Sequence, residues 1–407
     1  MTFDRLWADL ESVGRDDRSG GYRRYAWTRE DHTLREWFTG EVAGLGLDLT
    51  EDRAGNQWAW WGDPDAAPGQ GIVTGSHLDS VPDGGAYDGP LGVVSSLLAI
   101  RALQERGFTP SRPIAVANFV DEEGARFGVA CAGSRLITGA LTADRARSLT
   151  DADGVTMAEA WRRAGRDPEQ MGPDAETLDR IGAFVELHVE QGRALADMDP
   201  ATSAVAIGTD IWPHGRWCAE LPGRADHAGT TALADRDDAL LKAAALIEQV
   251  RSAAATRDRS SEGGERMVAT VGKLDVEPGG INAIPSLVRA FVDARGTREE
   301  DVRRAVAELR HHVEDAGGTW REESWTPTTH FDGQLISRLA RTLDGAPLLG
   351  TGAGHDAGIL ANHGVPTAML FVRNPTGSSH TPEEHAERED CLAGVDALAT
   401  VLEDLAR

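Results

Sequence analysis

The chain has 407 residues, of which 41% are hydrophobic, and a net charge of −25 from 41 basic and 66 acidic side chains. This length exceeds the size of one ordinary hydrophobic core, so two domains are expected. The acidity argues against nucleic acid and anionic membrane surfaces as partners, because their charge would repel the protein. An anionic substrate would also be repelled, and its capture would need a local positive charge.

The 3 cysteines are far apart in the sequence and form neither a disulfide framework nor a Cys-x-x-Cys metal motif. The amino-terminal stretch MTFDRLWADLESVG is mixed and acidic, without the apolar core of a signal peptide. No apolar run approaches the ~18 residues of a membrane-spanning helix. These features predict a protein of the reducing cytoplasm.

The first half of the chain alternates apolar runs with helical patterns. A hairpin is predicted to turn at Gly55-Asn56. Buried strands are predicted in GIVTG, PIAVANFV and AFVELHV, and a helix bracketed by Pro90 and Gly107 follows the first of them. Because buried strands separated by helices are typical of parallel sheets, we expect a mainly parallel sheet with chemistry at the carboxyl ends of its strands.

The segment from residue 213 to 328 has another pattern. A strand in RWCAELPG precedes a helix from about Ala234 to Arg257, strands in MVATVGKLDV and NAIPSLVRAFVDARG, a helix from about Glu299 to Ala316 and a strand near TWREESW. This β-α-β-β-α-β order forms a compact unit of its own. The chain then resumes its first pattern. We therefore expect an α/β protein whose mainly parallel-sheet domain, residues 1–212 and 329–407, carries residues 213–328 as an inserted domain.

Histidines and acids mark the strand ends and the loops that follow them. The five that stand out are His77, Asp88, Glu123, His188 and His380. Imidazoles and carboxylates are the ligands that borderline divalent cations use. Each residue alone also has an ordinary explanation, such as a hydrogen-bonded core histidine or a helix-capping aspartate. Their shared position favours a metal site, and the absence of G-x-S-x-G and H-E-x-x-H motifs argues against rival hydrolytic sites.

Several motifs, in this order along the chain, resemble those of one enzyme clan. HLDSV, YDGPLGV, DEEG, ELHVEQG and SSHTPEEH resemble the metal-site motifs of the dinuclear metallopeptidases that include aminoacylases and carboxypeptidase G. HVEQG, RADHAGTT, GGINAIP and GAGHDA are similar to the amidase branch, which holds N-carbamoyl-L-amino-acid hydrolase, β-ureidopropionase and allantoate amidohydrolase. The amino-terminal GGYRRYAWT and GNQWAWWGD resemble allantoate amidohydrolases most.

The resemblance implies two divalent metal ions per subunit. His77, Asp88 and His188 match the ligands of the first ion. Asp88, Glu123 and His380 match those of the second, so that Asp88 bridges the two ions. Histidine and carboxylate ligands without a thiolate admit Mn²⁺ or Zn²⁺, and also Co²⁺ or Ni²⁺.

Two further acids match catalytic positions of the resembling family. Glu122 matches the general base, which takes a proton from the attacking water and returns it to the leaving nitrogen. Asp79 matches the acid that orients His77. The resemblance therefore implies hydrolysis as well as metal binding.

In the resembling family the inserted domain is a lid through which two subunits form a homodimer. The implied substrate-binding residues are Gln191, His227, Asn282, Arg295 and Gly358. His227 would reach the developing oxyanion from across the dimer, and Arg295 would hold the substrate carboxylate through parallel hydrogen bonds. A surface ion pair between Arg295 and Asp293 is an equal alternative for that guanidinium.

These features together predict a cytoplasmic, dinuclear metal-dependent amidohydrolase of nitrogen metabolism. Its expected substrate is a small anionic ureido acid, preferably allantoate from purine catabolism, whose ureido C–N bond would be cleaved to ammonia and carbon dioxide. The alternatives are N-carbamoyl-L-amino-acid hydrolase or β-ureidopropionase activity, a dipeptidase or aminoacylase, and a metal-binding scaffold without catalysis. The presence of Glu122 beside Glu123 argues against the scaffold, because metal binding needs only the second glutamate.

Overall fold

The computed structural model describes residues 1–66, 69–199, 202–259 and 265–407. The chain divides into two compact units, one of Met1–Thr209 with His330–Arg407 and the other of Asp210–Thr329. We call them the first and the second unit. Their division of labour into a catalytic domain and a lid stays a prediction.

The strands are β1 (Asp48–Glu51), β2 (Gln57–Trp61), β3 (Gly71–His77), β4 (Ile114–Phe119), β5 (Ile181–Val189), β6 (Val205–Ile211), β7 (His214–Pro222), β8 (Asp226–His227), β9 (Met267–Glu277), β10 (Ala283–Ile284), β11 (Leu287–Gly296), β12 (Thr319–Thr326), β13 (Thr329–His330), β14 (Leu348–Thr351) and β15 (Thr367–Val372). The helices are α1 (Phe3–Glu11), α2 (Arg29–Gly44), α3 (Pro90–Glu105), α4 (Ala132–Thr138), α5 (Ala143–Ser148), α6 (Met157–Arg163), α7 (Ala175–Asp179), α8 (Ala239–Ala255), α9 (Glu299–Asp315), α10 (Gly333–Thr342), α11 (Asp356–Asn362) and α12 (Arg388–Leu405). None of the helices in the described ranges combines the length and the apolarity needed to cross a bilayer.

A nine-stranded sheet organises the first unit. Its order is β1-β2-β4-β3-β5-β15-β6-β13, and β14 also pairs with β6. The central strands β4, β3, β5 and β15 are parallel, whereas β1, β2 and β6 join at the flanks in antiparallel fashion. The predicted α/β class with a mainly parallel sheet is confirmed. The short strands β6 and β14 were not predicted, because neither is a continuous apolar run.

The central strands are buried along their length. Every residue of β3 and β4 is buried, as expected for parallel strands covered on both faces. Helix α3 begins at Pro90, whose fixed φ suits the first helical position, and packs against β3 and α12. Since burying one Leu or Val side chain contributes ~1.5–3 kcal/mol, this core holds the carboxyl ends of β3 and β5 firmly in place.

The second unit is built on a four-stranded antiparallel sheet. Its order is β12-β7-β11-β9, with α8 and α9 packed against it. The predicted β-α-β-β-α-β order is confirmed, and a short ribbon of β8 and β10 is added. Helix α8 begins at Ala239 rather than near Ala234, because the carboxylate of Asp238 caps it by accepting the N–H bonds of Leu240 and Leu241.

Candidate metal centre

Two histidines enter the centre from neighbouring parallel strands. His77 ends β3 and His188 is the penultimate residue of β5, and both are fully buried. Their Nδ1 atoms lie 3.1 Å from the carbonyl oxygen of Asp79 and 2.9 Å from that of Val189, respectively. A neutral ring that donates through Nδ1 keeps its Nε2 lone pair for another partner. Both Nε2 atoms are therefore available as metal ligands.

Asp88 lies between two sets of ligand atoms. Its Oδ1 is 3.4 Å from Nε2 of His77 and 3.1 Å from Nε2 of His188. Its Oδ2 is 3.4 Å from Nε2 of His380, which lies 3.5 Å from Oε2 of Glu123. Within each set of three residues the ligand atoms lie within 4.8 Å of one another. The structure thus brings all five predicted ligands together, with Asp88 shared.

Orphaned polar atoms test whether these residues fit metal ions. Nε2 of His77, Nε2 of His188 and Oε1 of Glu123 are buried without a hydrogen-bond partner. Leaving such an atom unsatisfied costs about 1–3 kcal/mol, so a native structure rarely keeps several in one place without a reason. A divalent cation in the first group would satisfy both Nε2 atoms, and one in the second group would satisfy Oε1 of Glu123. Imidazole and carboxylate donors also suit Zn²⁺ and Mn²⁺, so the residues present fit a two-ion centre.

Asp79 joins the end of β3 to the turn after β4. Its carboxylate oxygens accept the backbone N–H groups of Glu122 and Glu123 at 3.2 and 3.1 Å. One of them also lies 3.4 Å from Nδ1 of His77. The turn starts at Asp121, whose φ of 55° is left-handed. Asp79 therefore contacts both a ligand histidine and the backbone of the two adjacent glutamates.

Glu122 is a buried acid beside the ligand atoms. Its Oε2 lies 3.8 Å from Nε2 of His77, and its Oε1 accepts a hydrogen bond from the thiol of Cys131 at 3.5 Å. Burial raises the pKa of Glu122 well above its usual range, against the opposing effect of His77, and the charge of Glu123 raises it further. Nearby cations would reverse this trend. The carboxyl can therefore hold or release a proton at this position.

The pKa values of His380 and Glu123, two of the predicted metal ligands, are also shifted. A hydrogen bond with Asp88 raises the pKa of His380 to about 9. Burial, reinforced by the charge of Asp88, raises the pKa of Glu123 to about 8. The Asp88 carboxylate thus raises both pKa values, and burial is the larger cause of the shift at Glu123. Without cations, protons take their place.

His355 is a residue of the centre that the sequence analysis missed. Its ring centroid lies 4.5 Å from that of His188, and both of its ring nitrogens are buried without a hydrogen-bond partner. It forms a third group of close ligand atoms with His188 and Glu186. Burial, together with the charge of His188, lowers the pKa of His355 well below its usual value. The motif GAGHDA contains His355, but its pattern indicates the family and does not by itself indicate a metal ligand.

Gln191 also belongs to the centre. Its side-chain amide donates to Oδ2 of Asp88 at 2.8 Å and to the hydroxyl of Ser379 at 3.1 Å. Its carbonyl oxygen Oε1 is buried and has no hydrogen-bond partner. Gly358 lies in α11, buried, and its N–H donates to the carbonyl of His355. Of these two predicted substrate-binding residues, Gln191 directly contacts Asp88, a predicted metal ligand.

The other predicted substrate-binding residues belong to the second unit. His227 in β8 pairs with Ala283 in β10, and the carbonyl of Asn282 accepts the N–H of Ala228 at 2.9 Å. His227 and Asn282 are thus neighbours on an exposed ribbon. The ring of His227 accepts the N–H of Gly229 through Nδ1 at 3.0 Å. The Nε2 atom of His227 takes no part in that hydrogen bond.

Arg295 forms the ion pair that the sequence analysis held open. Its Nε and Nη2 donate to the two carboxylate oxygens of Asp293 at 2.8 and 3.0 Å. Both residues lie on β11, where Arg295 is opposite His214 of β7. The guanidinium that the resemblance assigns to the substrate is therefore already paired with the carboxylate of Asp293.

Comparisons with known proteins agree with these observations. The model of peptidase family M20/M25/M40 matches residues 73–404. The chain is 34% identical to N-carbamoyl-L-amino acid amidohydrolase of Geobacillus stearothermophilus, over 99% of this chain and 98% of that protein. It is 30% identical to allantoate amidohydrolase of Escherichia coli (strain K12), over 98% and 96%. The crystal structure of AtUAH in complex with glyoxylate has a TM-score of 0.84 and 29% identity, covering 99% of this chain and 97% of that one. The resemblance seen in the motifs is confirmed.

Proposed function

Because the chain belongs to peptidase family M20/M25/M40, we propose that it is a metal-dependent amidohydrolase that cleaves a ureido C–N bond of a small carboxylate. The observation that carries the proposal is the convergence of two ligand groups on Asp88. Relatives similar over nearly the whole chain are named for N-carbamoyl amino acids and for allantoate, which share ureido and carboxylate groups. The proposed reaction uses these common features.

The proposed centre holds two divalent cations. His77, Asp88 and His188 would bind one, and Asp88 with Glu123 and His380 the other. When bound, such ions would polarise the scissile carbonyl and lower the pKa of the attacking water. The orphaned Nε2 and Oε1 atoms described above support the assignment.

Glu122 is the proposed general acid–base. Its carboxylate takes a proton from the attacking water as the new C–O bond forms, and it then delivers that proton to the leaving nitrogen as the C–N bond breaks. The carbamate released from a terminal ureido group decomposes to carbon dioxide and ammonia. Asp79 keeps Glu122 in place through the backbone hydrogen bond at 3.2 Å. One buried carboxyl therefore serves both proton transfers.

Residues of the second unit are proposed to recognise the substrate. Arg295 would hold its carboxylate, while His227 and Asn282 would contact its polar groups. A local guanidinium answers the problem set by the net charge of −25, because it attracts an anion that the whole molecule repels. A substrate carboxylate would replace Asp293 as the partner of Arg295. The guanidinium would then be paired both in the free protein and in the complex with substrate.

We also propose a homodimer formed through the second unit. Its edge strand β9 exposes Val268 and Leu274, and α8 exposes Leu241 and Ile247, with exposed fractions of 55, 37, 70 and 39%. An exposed strand edge flanked by apolar side chains is a surface that a second copy of the chain can cover. Replacing Leu241 with Asp should shift the protein from dimer to monomer in analytical ultracentrifugation. The matched change at Leu348, 54% exposed in the first unit, should leave the dimer intact.

Allantoate is the proposed substrate, and N-carbamoyl-L-amino acids are the second candidate because of the relative at 34% identity. The test is ammonia release by protein stripped with a chelator and reloaded separately with Mn²⁺, Zn²⁺, Co²⁺ or Ni²⁺. We expect no turnover before reloading and faster turnover of allantoate afterwards. Faster turnover of N-carbamoyl-L-amino acids would make them the proposed substrate instead. Release of free amino acids from dipeptides, with no ammonia from either ureido acid, would overturn the ureido assignment.

A further inference from the structure

We propose that Glu384 is a positioning residue, which joins the loop of Asp88 to the loop of His380 and thereby sets the cation affinity of the position they share. The Asp88 loop is defined here as residues 85–88 and the His380 loop as residues 379–385. The inference rests on the metal centre of the proposed function and adds a residue that lies outside its ligand groups.

Glu384 contacts the backbone of the Asp88 loop directly. Its Oε1 accepts the N–H groups of Tyr87 and Asp88, both at 2.8 Å. The residue is only 4% exposed, so the two bonds to its carboxyl are shielded from water. A buried hydrogen bond is stronger than one exposed to water, because no water competes for its donor or acceptor. The peptide that carries the shared ligand is therefore anchored to the His380 loop.

The two loops are shaped to meet at this carboxyl. A Cβ added to Gly85 would lie 2.4 Å from Oε1 of Glu384, so the approach requires glycine there. The ring of Tyr87 meets the ring of His385 edge-on, with centroids 5.8 Å apart. Glu384 thus lies in a contact between the two loops to which Gly85 and the rings of Tyr87 and His385 also contribute.

The position of Asp88, Glu123 and His380 depends most on this contact. His77 and His188 lie on buried strands, which hold them without help from either loop. His380 follows no strand directly, its side chain is 49% exposed, and its φ of 59° is left-handed. A ligand on such a segment needs an anchor. The two hydrogen bonds accepted by neighbouring Glu384 supply one through the backbone of Tyr87 and Asp88.

The variants Glu384→Ala and Glu384→Gln separate this role from others, with Glu383→Ala as the matched control. Glu383 is the exposed neighbour, and its carboxylate accepts the hydroxyl of Thr381. Each protein is dialysed against buffered free Zn²⁺, and bound zinc is counted by elemental analysis. We expect two ions per chain in the wild type and Glu383→Ala, one in Glu384→Ala, and two in Glu384→Gln, whose amide oxygen accepts the same N–H bonds.

A titration with Co²⁺ gives the second readout, because its visible absorption reports each filled position. Glu384→Ala should weaken the second binding event at least tenfold and leave the first within about twofold. Gly85→Ala should have the same effect, since it pushes the loops apart while keeping the carboxyl. Gly85→Ala also tests the inference if Glu384→Ala fails to fold.

Two distinct failures can be told apart. If the wild type and Glu384→Ala both bind two ions with equal affinity, the positioning role is wrong and the metal centre stands. Loss of the second ion in Glu384→Gln as well as in Glu384→Ala would also contradict the role, because hydrogen-bond acceptance alone would then not explain it. A wild type that binds fewer than two ions would instead contradict the proposed function.

Discussion

The candidate residues of the two units differ in what surrounds them. In the first unit, His77, His188 and Glu123 bring buried atoms without hydrogen-bond partners to the two ligand groups that share Asp88. In the second unit, His227 lies on an exposed ribbon and Arg295 is paired with Asp293. The first group is incomplete without cations, whereas the second is already satisfied. The proposed metal binding would therefore use atoms that the first unit already brings together, whereas the proposed substrate recognition would displace existing contacts of the second unit.

This difference follows from where the residues lie in the fold. Parallel strands β3 and β5 bring the rings of His77 and His188 to a centroid distance of 6.0 Å, and both strands are buried there. Surface residues of an antiparallel sheet have neighbours with which to pair, as Arg295 does. Preorganised groups act with little rearrangement, whereas exposed groups lose contacts when they bind. Substitutions should consequently affect catalysis in the first unit and apparent affinity in the second.

The largest expected effect is on the proposed base. Glu122→Gln removes the group that transfers the proton, so kcat should fall about 10³-fold, within the range for general acid–base catalysis. Bound metal should stay at two ions per chain. The matched variant Glu123→Gln changes the adjacent ligand and should lose metal as well as activity. Steady-state kinetics with parallel metal analysis checks both, and full activity of Glu122→Gln would remove it from the mechanism.

A smaller effect is expected at the guanidinium of the second unit. Arg295→Gln should raise KM for the ureido acid about 10- to 100-fold, the value of one or two charged hydrogen bonds, and change kcat little. Arg289 lies on the same strand and pairs with Glu220 and Glu277, so Arg289→Gln is the matched control. Equal kinetics of the two variants would mean that Arg295 serves only its ion pair with Asp293.

The pH dependence of metal binding tests the proposed metal centre of the first unit. Below their pKa values of about 8 and about 9, Glu123 and His380 hold protons in the metal-free protein. A cation must displace these protons, so affinity should rise with pH, about tenfold per unit for each proton released, and level off above the higher value. Calorimetry in buffers of different ionisation enthalpy counts the protons. A metal affinity that stays constant from pH 6 to 9 would contradict ligation of the cation by Glu123 and His380.

The sequence was sufficient for some parts of this account and insufficient for others. His77 and His188 were predictable because apolar runs place them at strand ends. The antiparallel pair β1–β2 was predicted as a hairpin turning at Gly55-Asn56, but the antiparallel pairing of β6 with β15 was not, since its partners lie far apart along the chain. Glu384 contacts Asp88 across 296 positions, so no local pattern indicates their hydrogen bond. Residues that act by position are visible only once the loops are assembled.

The central claim is that two cations share the carboxylate of Asp88. Its most direct test is anomalous X-ray scattering at the zinc edge from crystals of the wild type and of Asp88→Ala, with zinc also counted in solution. We predict two peaks in the wild type, one beside His77 and His188 and the other beside Glu123 and His380, and loss of both at equal free zinc in the variant. A single peak in the wild type, or two peaks that persist without the Asp88 carboxylate, would contradict the account.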